Sequence, residues 1–273
     1  AHLARASVAT ARCCAFNERE LPMMLKRTVV PEELDSLGPD DPSAIRSRRD
    51  LQRVHRAMAT CSVLTRELGA LVGQRAAQAS PLRVLELGAG DASLMLRVAR
   101  TLNSQWPHVQ LTLLDQVDLL DAKTRAAYAE LGWAATPMTM DALEWASEQT
   151  VQIDLERGEQ PAWDLIVANL FLHHFEADNL KRLLAAIACR CSAFVACEPR
   201  RSRLALAASH CVGALGACSV TRSDAVTSVR AGFCDGELSA LWATEPGAWA
   251  LTERRAACFG HCFTARRVGA AAG

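Results

Sequence analysis

Val84-Leu85-Glu86-Leu87-Gly88-Ala89-Gly90-Asp91-Ala92-Ser93 is the stretch that decides the fold. An apolar run, Leu82–Leu87, has strand length and carries one acid near its end. Two glycines one residue apart follow, then the amphipathic pattern of a helix over Asp91–Leu102. Glycines at 88 and 90 permit a tight turn and the close approach of a ligand to the backbone. A strand, a glycine turn and a helix make the first half of a parallel crossover.

The same alternation continues downstream. Val109–Leu114 reads as a strand, Asp118–Leu131 as a helix, Ala134–Met140 as a weaker strand, and a helix starts at Asp141. After the polar, irregular stretch Thr150–Gln160 come a strand at Trp163–Ala168, a helix at Glu176–Cys191 and a strand at Ala193–Cys197. Strands separated by helices predict a mostly parallel sheet covered on both faces. Past Pro199 the pattern gives a helix at Leu204–Leu215, a loop through Thr221–Gly232 and a helix at Gly236–Trp242. Two strand-like runs, Ala248–Thr252 and Ala257–Ala265, joined by Glu253–Arg255, predict an antiparallel hairpin on the sheet edge.

Upstream of Pro81 the chain is helical. After the acidic stretch Pro31–Pro42, Ser43 is placed to cap a helix through Leu51, Val54, Met58, Leu64 and Leu68. The charged run Arg46–Arg53 reads as its solvated face. The organisation expected is an extension at 1–30 that is disordered or not native, a helical segment at 31–78 serving as a lid or packing layer, and the main domain at 79–268 with a cap near 200–243.

Composition limits the function classes. The 273 residues carry 30 basic and 30 acidic side chains, so net charge does not draw the chain to nucleic acid, and no DNA partner is expected. No run of about 18 uncharged apolar residues is present, so no membrane-spanning helix is expected. Only Lys26, Lys123 and Lys181 are lysines among the basic residues, a bias expected of a GC-rich bacterial genome. The 11 cysteines form no paired C-x-x-C knuckle. Cys258, His261 and Cys262, with Cys189, Cys191 and Cys197 elsewhere, read as small buried residues rather than metal ligands. No metal and a reducing, cytoplasmic setting are the expectations.

Four positions carry chemistry. Glu86 stands two residues before Gly88, where an anion would repel a dinucleotide's pyrophosphate and attract an ammonium group. S-adenosylmethionine has that ammonium and no phosphate. Asp115, closing Leu111-Thr112-Leu113-Leu114-Asp115, can accept both hydroxyls of a ribose. Asp141, followed by Ala142, is placed either to accept from an adenine amino group or to cap its own helix. Trp163–Ala168 runs into Asn169-Leu170-Phe171-Leu172-His173-His174-Phe175, at the edge where open α/β sheets bind ligands.

In this order, over residues 80–200 and the terminal hairpin, these elements resemble the class I S-adenosylmethionine-dependent methyltransferases of the small-molecule type. Ala92 stands where a third glycine is usual, and the Asn/Asp-Pro-Pro-aromatic tetrapeptide of enzymes that methylate amide or exocyclic amino nitrogens is missing. The resemblance implies a Rossmann-like sheet of seven strands. It implies cofactor contacts at Glu86, Gly88, Gly90, Asp115, Asp141, Ala142 and Asn169. The activity implied is methyl transfer to a small organic acceptor, for which an oxygen of an aromatic or lipid-like metabolite is the first candidate. His174 and His173 are the candidate general bases, since imidazole accepts a proton near neutral pH. Glu198, His261 and the arginines 200, 201 and 203 are secondary candidates. An RNA or protein methyltransferase and a non-catalytic binding member of the fold are the alternatives, and an NAD-dependent oxidoreductase is disfavoured by Glu86. The oligomeric state is left open.

Overall fold

The computed structural model describes residues 25–72, 81–106, 108–148, 161–242, 247–257 and 259–268. The proposed extension up to residue 24 and the polar stretch Thr150–Gln160 lie outside them, as does Cys258. The order of elements is α1 (Pro42–Ala57), α2 (Thr60–Val72), β1 (Leu82–Leu87), α3 (Ser93–Leu102), β2 (Val109–Asp115), α4 (Ala122–Glu130), β3 (Trp133–Thr139) and α5 (Ala142–Ser147). Then come β4 (Trp163–Asn169), α6 (Ala177–Arg190), β5 (Cys191–Pro199), α7 (Arg203–His210), α8 (Ser219–Ala231), α9 (Glu237–Leu241), β6 (Trp249–Ala256) and β7 (Gly260–Arg267).

The strands form one seven-stranded sheet in the order β3-β2-β1-β4-β5-β7-β6. The first five pair in parallel, and β7 alone runs against its neighbours β5 and β6. This is the Rossmann-like, mostly parallel sheet with a terminal hairpin that the alternation predicts. Successive strand residues face opposite sides. Val84, Leu111, Leu165 and Val195 pack against α2 and α3, while Leu85, Ile166, Ala168 and Phe194 pack against α6 and Trp242. Strand order reverses between β1 and β4, so their carboxyl ends open the crevice where such sheets bind ligands.

The N-terminal helices belong to the core. Leu64 and Leu68 of α2 are buried in the cluster that contains α3 and the sheet. Asp50 of α1 accepts the backbone N–H of Cys218 at 2.8 Å, and Ser47 Oγ lies 2.9 Å from Thr221 Oγ1. Helix α1 is thereby fastened to α8.

Five local expectations are corrected. The helix expected through Leu68 is two helices, because Ala59 takes a left-handed conformation at φ 51° and breaks it. Its cap is Asp41, which accepts the N–H of Ser43, rather than Ser43 itself. The loop expected at Thr221–Gly232 is the helix α8, whose buried Thr221 and Asp224 are bonded to the N-terminal segment. Glu253–Arg255 lies inside β6, which runs to Ala256, and β7 begins at Gly260. The helix after the glycine turn starts at Ser93 because Ala92 is also left-handed, at φ 55°, its carbonyl taken by the Tyr128 hydroxyl at 2.8 Å.

Candidate functional site

The carboxyl ends of β1, β2 and β4 converge on the glycine turn. Leu87 pairs with Leu114 on one side and Ala168 on the other, so Gly88, Asp115 and Asn169 follow at one level of the sheet. The two glycines do different work. Gly88 has φ 68°, and a Cβ there would lie 2.3 Å from the Phe171 ring. Its missing side chain therefore seats Phe171. Leu170, left-handed at φ 49°, turns the chain out of β4 to deliver that ring. Gly90, at φ 53°, faces open space. Its N–H donates to Asp115 Oδ2 at 2.9 Å, and Asp115 Oδ1 accepts from Val117 N at 3.2 Å. Asp115 and Gly90 line a small open cleft with Leu113, Val117, Pro137 and Met138. A carboxylate oxygen accepts more than one hydrogen bond, so Asp115 retains acceptor capacity toward that cleft.

Glu86 is buried beneath the turn, and its Oε2 has no hydrogen-bond partner. Burial, reinforced by Asp91 and Asp115, pushes its pKa up to about 8. A buried carboxyl left in this state is costly, and a cation beside it would relieve the cost. Asn169, also buried, has an unpartnered Oδ1.

Asp141 caps α5. Its Oδ1 accepts from Leu143 N at 2.7 Å and Glu144 N at 3.2 Å, and its Oδ2 accepts from Gln116 Nε2 at 2.8 Å. Ala142 is buried with Trp145 in the core. Neither residue lines the cleft beside Asp115.

The histidines sit in a short turn, Leu172–His174, after β4. His173 is buried, with Nδ1 2.8 Å from Glu198 Oε2 and Nε2 3.2 Å from Glu32 Oε1. Burial pulls its pKa down, but the bonds to Glu198 and Glu32 push harder, and the result is about 9. His173 is thus an imidazolium with both N–H groups engaged and no lone pair to offer. The Glu198 carboxylate, wholly buried, also accepts the backbone N–H groups of Phe171, Leu172 and His173. His174 is 24% exposed, and its Nδ1 lies 3.1 Å from Asp35 Oδ2. Ligand atoms of Glu32, His173 and His174 lie within 4.8 Å of one another, the one group among the described residues with the composition of a metal site.

His261 is buried in β7 against Glu253 at 2.8 Å, away from this turn. Arg200 makes a two-pronged pair with Asp235 at 2.7 and 3.0 Å, and Arg201 pairs with Glu237. Sequence patterns do not reveal Glu32 and Asp35, which reach the histidines from an acidic stretch read only as polar. Nor do they reveal His55 and Gln52 of α1, which lie over the glycine turn. Gln52 Nε2 donates to Asp91 Oδ2 at 3.1 Å, and His55 Nε2 lies 3.4 Å from Asn169 Nδ2.

No protein-family model matches the sequence, and no curated protein matches it. Solved structures do resemble the fold. An O-methyltransferase family protein from Burkholderia thailandensis is 14% identical, with 82% of this chain and 63% of that one covered at a TM-score of 0.45. A protein from Nostoc punctiforme PCC 73102, provisionally assigned as an O-methyltransferase, is 15% identical, with 89% and 64% covered at 0.49. Magnesium protoporphyrin IX methyltransferase from Synechocystis PCC 6803, solved with bound S-adenosylmethionine, is 12% identical, with 86% and 88% covered at 0.44. The chain therefore spans under two thirds of the length of the first two. Identities this low speak to fold alone.

Proposed function

We propose that the protein transfers a methyl group from S-adenosylmethionine to a small organic acceptor through an oxygen of that acceptor. The observation that carries the reading is the buried, unpartnered Glu86 Oε2 beneath an open glycine turn. With Asp115 in the adjoining cleft and Asn169 Oδ1 unpartnered, the residues fit a ligand that brings hydroxyls to one end and an ammonium to the other.

When bound, S-adenosylmethionine supplies a methyl group already activated on a sulfonium sulfur. The protein's task is then alignment and removal of one proton. Gly90 leaves space for close approach, and Asp115 accepts from the ribose hydroxyls. Asp141 is the acceptor assigned to the adenine amino group, beside its capping role. Glu86 receives the ammonium. Phe171 and Phe175, edge-to-face at 5.1 Å, place an apolar surface beside His174 for the acceptor. His174, oriented by Asp35, takes the acceptor's proton, while His173 and Glu198 hold the turn in place. Arg200 and Arg201 are already paired, which favours a small acceptor over a polyanion. Among the described residues no helix is long and apolar enough to cross a membrane, and the eight described cysteines are free, which supports a cytoplasmic setting.

Calorimetry tests the cofactor: S-adenosylhomocysteine should bind and NAD should not, and the reverse pattern would overturn the reading. For the base, His174→Ala should lower turnover by roughly 10²–10⁴-fold with cofactor affinity unchanged. Near-normal turnover with the true acceptor would leave alignment as the whole mechanism.

A further inference from the structure

Ten buried side-chain nitrogen and oxygen atoms lack a hydrogen-bond partner among the described residues, and half belong to four residues: His55 Nδ1, Glu86 Oε2, Arg97 Nε and Nη2, and Asn169 Oδ1. Buried polar groups are otherwise paired, so such a concentration needs an explanation. The four are linked through His55 and Asp91. His55 is hydrogen-bonded to Asn169, a contact between residues 114 apart in sequence. Arg97 and Asp91 both act electrostatically on His55, and Asp91 acts likewise on Glu86. Asn169 follows the Leu87–Ala168 pairing of β1 and β4, two residues beyond Glu86's partner Val167 and on the same face of the sheet.

The unpartnered atoms also sort by kind. Asn169 Nδ2 donates to His55 Nε2, so that nitrogen carries the lone pair and Nδ1 carries the hydrogen. His55 Nδ1–H and two N–H groups of Arg97 are then donors without acceptors. Glu86 Oε2 and Asn169 Oδ1 are acceptors without donors. The donors come from α1 and α3, and the acceptors from the strand ends. A group with a carboxylate on one side and an ammonium on the other satisfies both sets.

We propose that His55 and Arg97 bind the α-carboxylate of the cofactor's amino-acid end, with Glu86 and Asn169 taking its ammonium. Helix α1 is therefore part of the binding site and not only a cover. The assignment rests on the cofactor reading above. It also gives the Gln52–Asp91 contact a use, since that bond anchors α1 to the turn one helical turn before His55.

The test compares two ligands by calorimetry. S-adenosylhomocysteine carries the amino-acid end, and 5′-methylthioadenosine keeps the nucleoside and thioether without it. His55→Ala and Arg97→Ala should each weaken the first by roughly 10- to 100-fold, the scale of hydrogen bonds to a charged group, and leave the second within about twofold. His55→Asn, which keeps a donor, should recover part of the loss and guards against a helix that merely misfolds. Equal loss of both ligands, or no loss of either, overturns the assignment. An unaltered protein that binds methylthioadenosine as tightly as S-adenosylhomocysteine overturns the assignment while sparing the cofactor reading, and one that binds neither overturns both.

Discussion

Glu86 and Glu198 are a matched pair. Both are buried glutamates at or near the carboxyl end of a parallel strand in one sheet, Glu86 on β1 and Glu198 on β5. Glu198 accepts three backbone N–H groups and one imidazolium, all from a single turn. Glu86 has an oxygen with none. Burial of a carboxyl is tolerated when its acceptors are filled, so the Glu198 region is complete as folded. The Glu86 region is completed only by something from outside. One half of the carboxyl edge is thus scaffold, and the other is a receptacle.

The largest expected effect comes from breaking the complete half. Glu198→Ala strands a buried imidazolium and three amides, and should cost ~3–5 kcal/mol in urea unfolding. A loss below about 1 kcal/mol would mean that water replaces the carboxylate and the halves do not differ. The reciprocal change, Glu86→Gln, should weaken S-adenosylhomocysteine by ~1.5–3 kcal/mol while leaving the unliganded protein at least as stable at pH 8. Destabilisation at that pH would show that Glu86 is satisfied in the folded chain.

The two regions also separate in pH. Glu86 titrates near 8 when folded against about 4.5 unfolded, so it binds more protons in the folded state and its contribution is lost as pH rises from about 4.5 to 8. His173 titrates near 9 against 6.5, and its contribution is lost between 6.5 and 9. His55, held near 4 by burial and by Arg97, works the other way and adds stability as pH rises from about 4 to 6.5. Unfolding free energy should therefore still fall between pH 8 and 9 in Glu86→Gln. A flat curve there would remove His173 from the account.

Smaller effects sharpen the receptacle. Asp115→Ala should cost ~1–3 kcal/mol of cofactor affinity with the fold intact, and collapse of stability at constant affinity would make it structural. Asp141→Ala should cost ~1 kcal/mol of stability through the lost cap. Asp141→Ser keeps a cap and removes the carboxylate, so reduced S-adenosylhomocysteine affinity in that variant would be the mark of a cofactor contact.

Much of the sheet was legible because β1, β2, β4 and β5 are apolar runs bounded by polar turns, and their limits fall within a few residues of expectation. The break at Ala59 carried no glycine to announce it. Helix α8 was hidden because Thr221, Thr227, Ser228 and Val229 favour other structures, and its helical state rests on packing against α1 and α7. The strand-end acids were visible as positions. Their partners were not, since Glu32 meets His173 across 141 residues and His55 meets Asn169 across 114. Local pattern has no access to such contacts. Arg46, Arg49 and Arg53 are exposed as expected, and their charge gave no sign that Gln52 and His55 of the same helix turn toward the glycine turn.

The fastening of the N-terminal segment to α8 has a consequence for how the molecule comes into being. Asp224 holds the amides of Glu33 and Leu34 from 191 and 190 residues away, and Arg27 Nε reaches the carbonyl of Ala231 across 204. Contacts of such sequence separation form late, because a long loop must close before they stabilise anything. During synthesis the glycine turn and β1 to β4 emerge while α1 still lacks its anchor. Cofactor capture should therefore lag behind the pairing of β1 to β4 until α8 has left the ribosome.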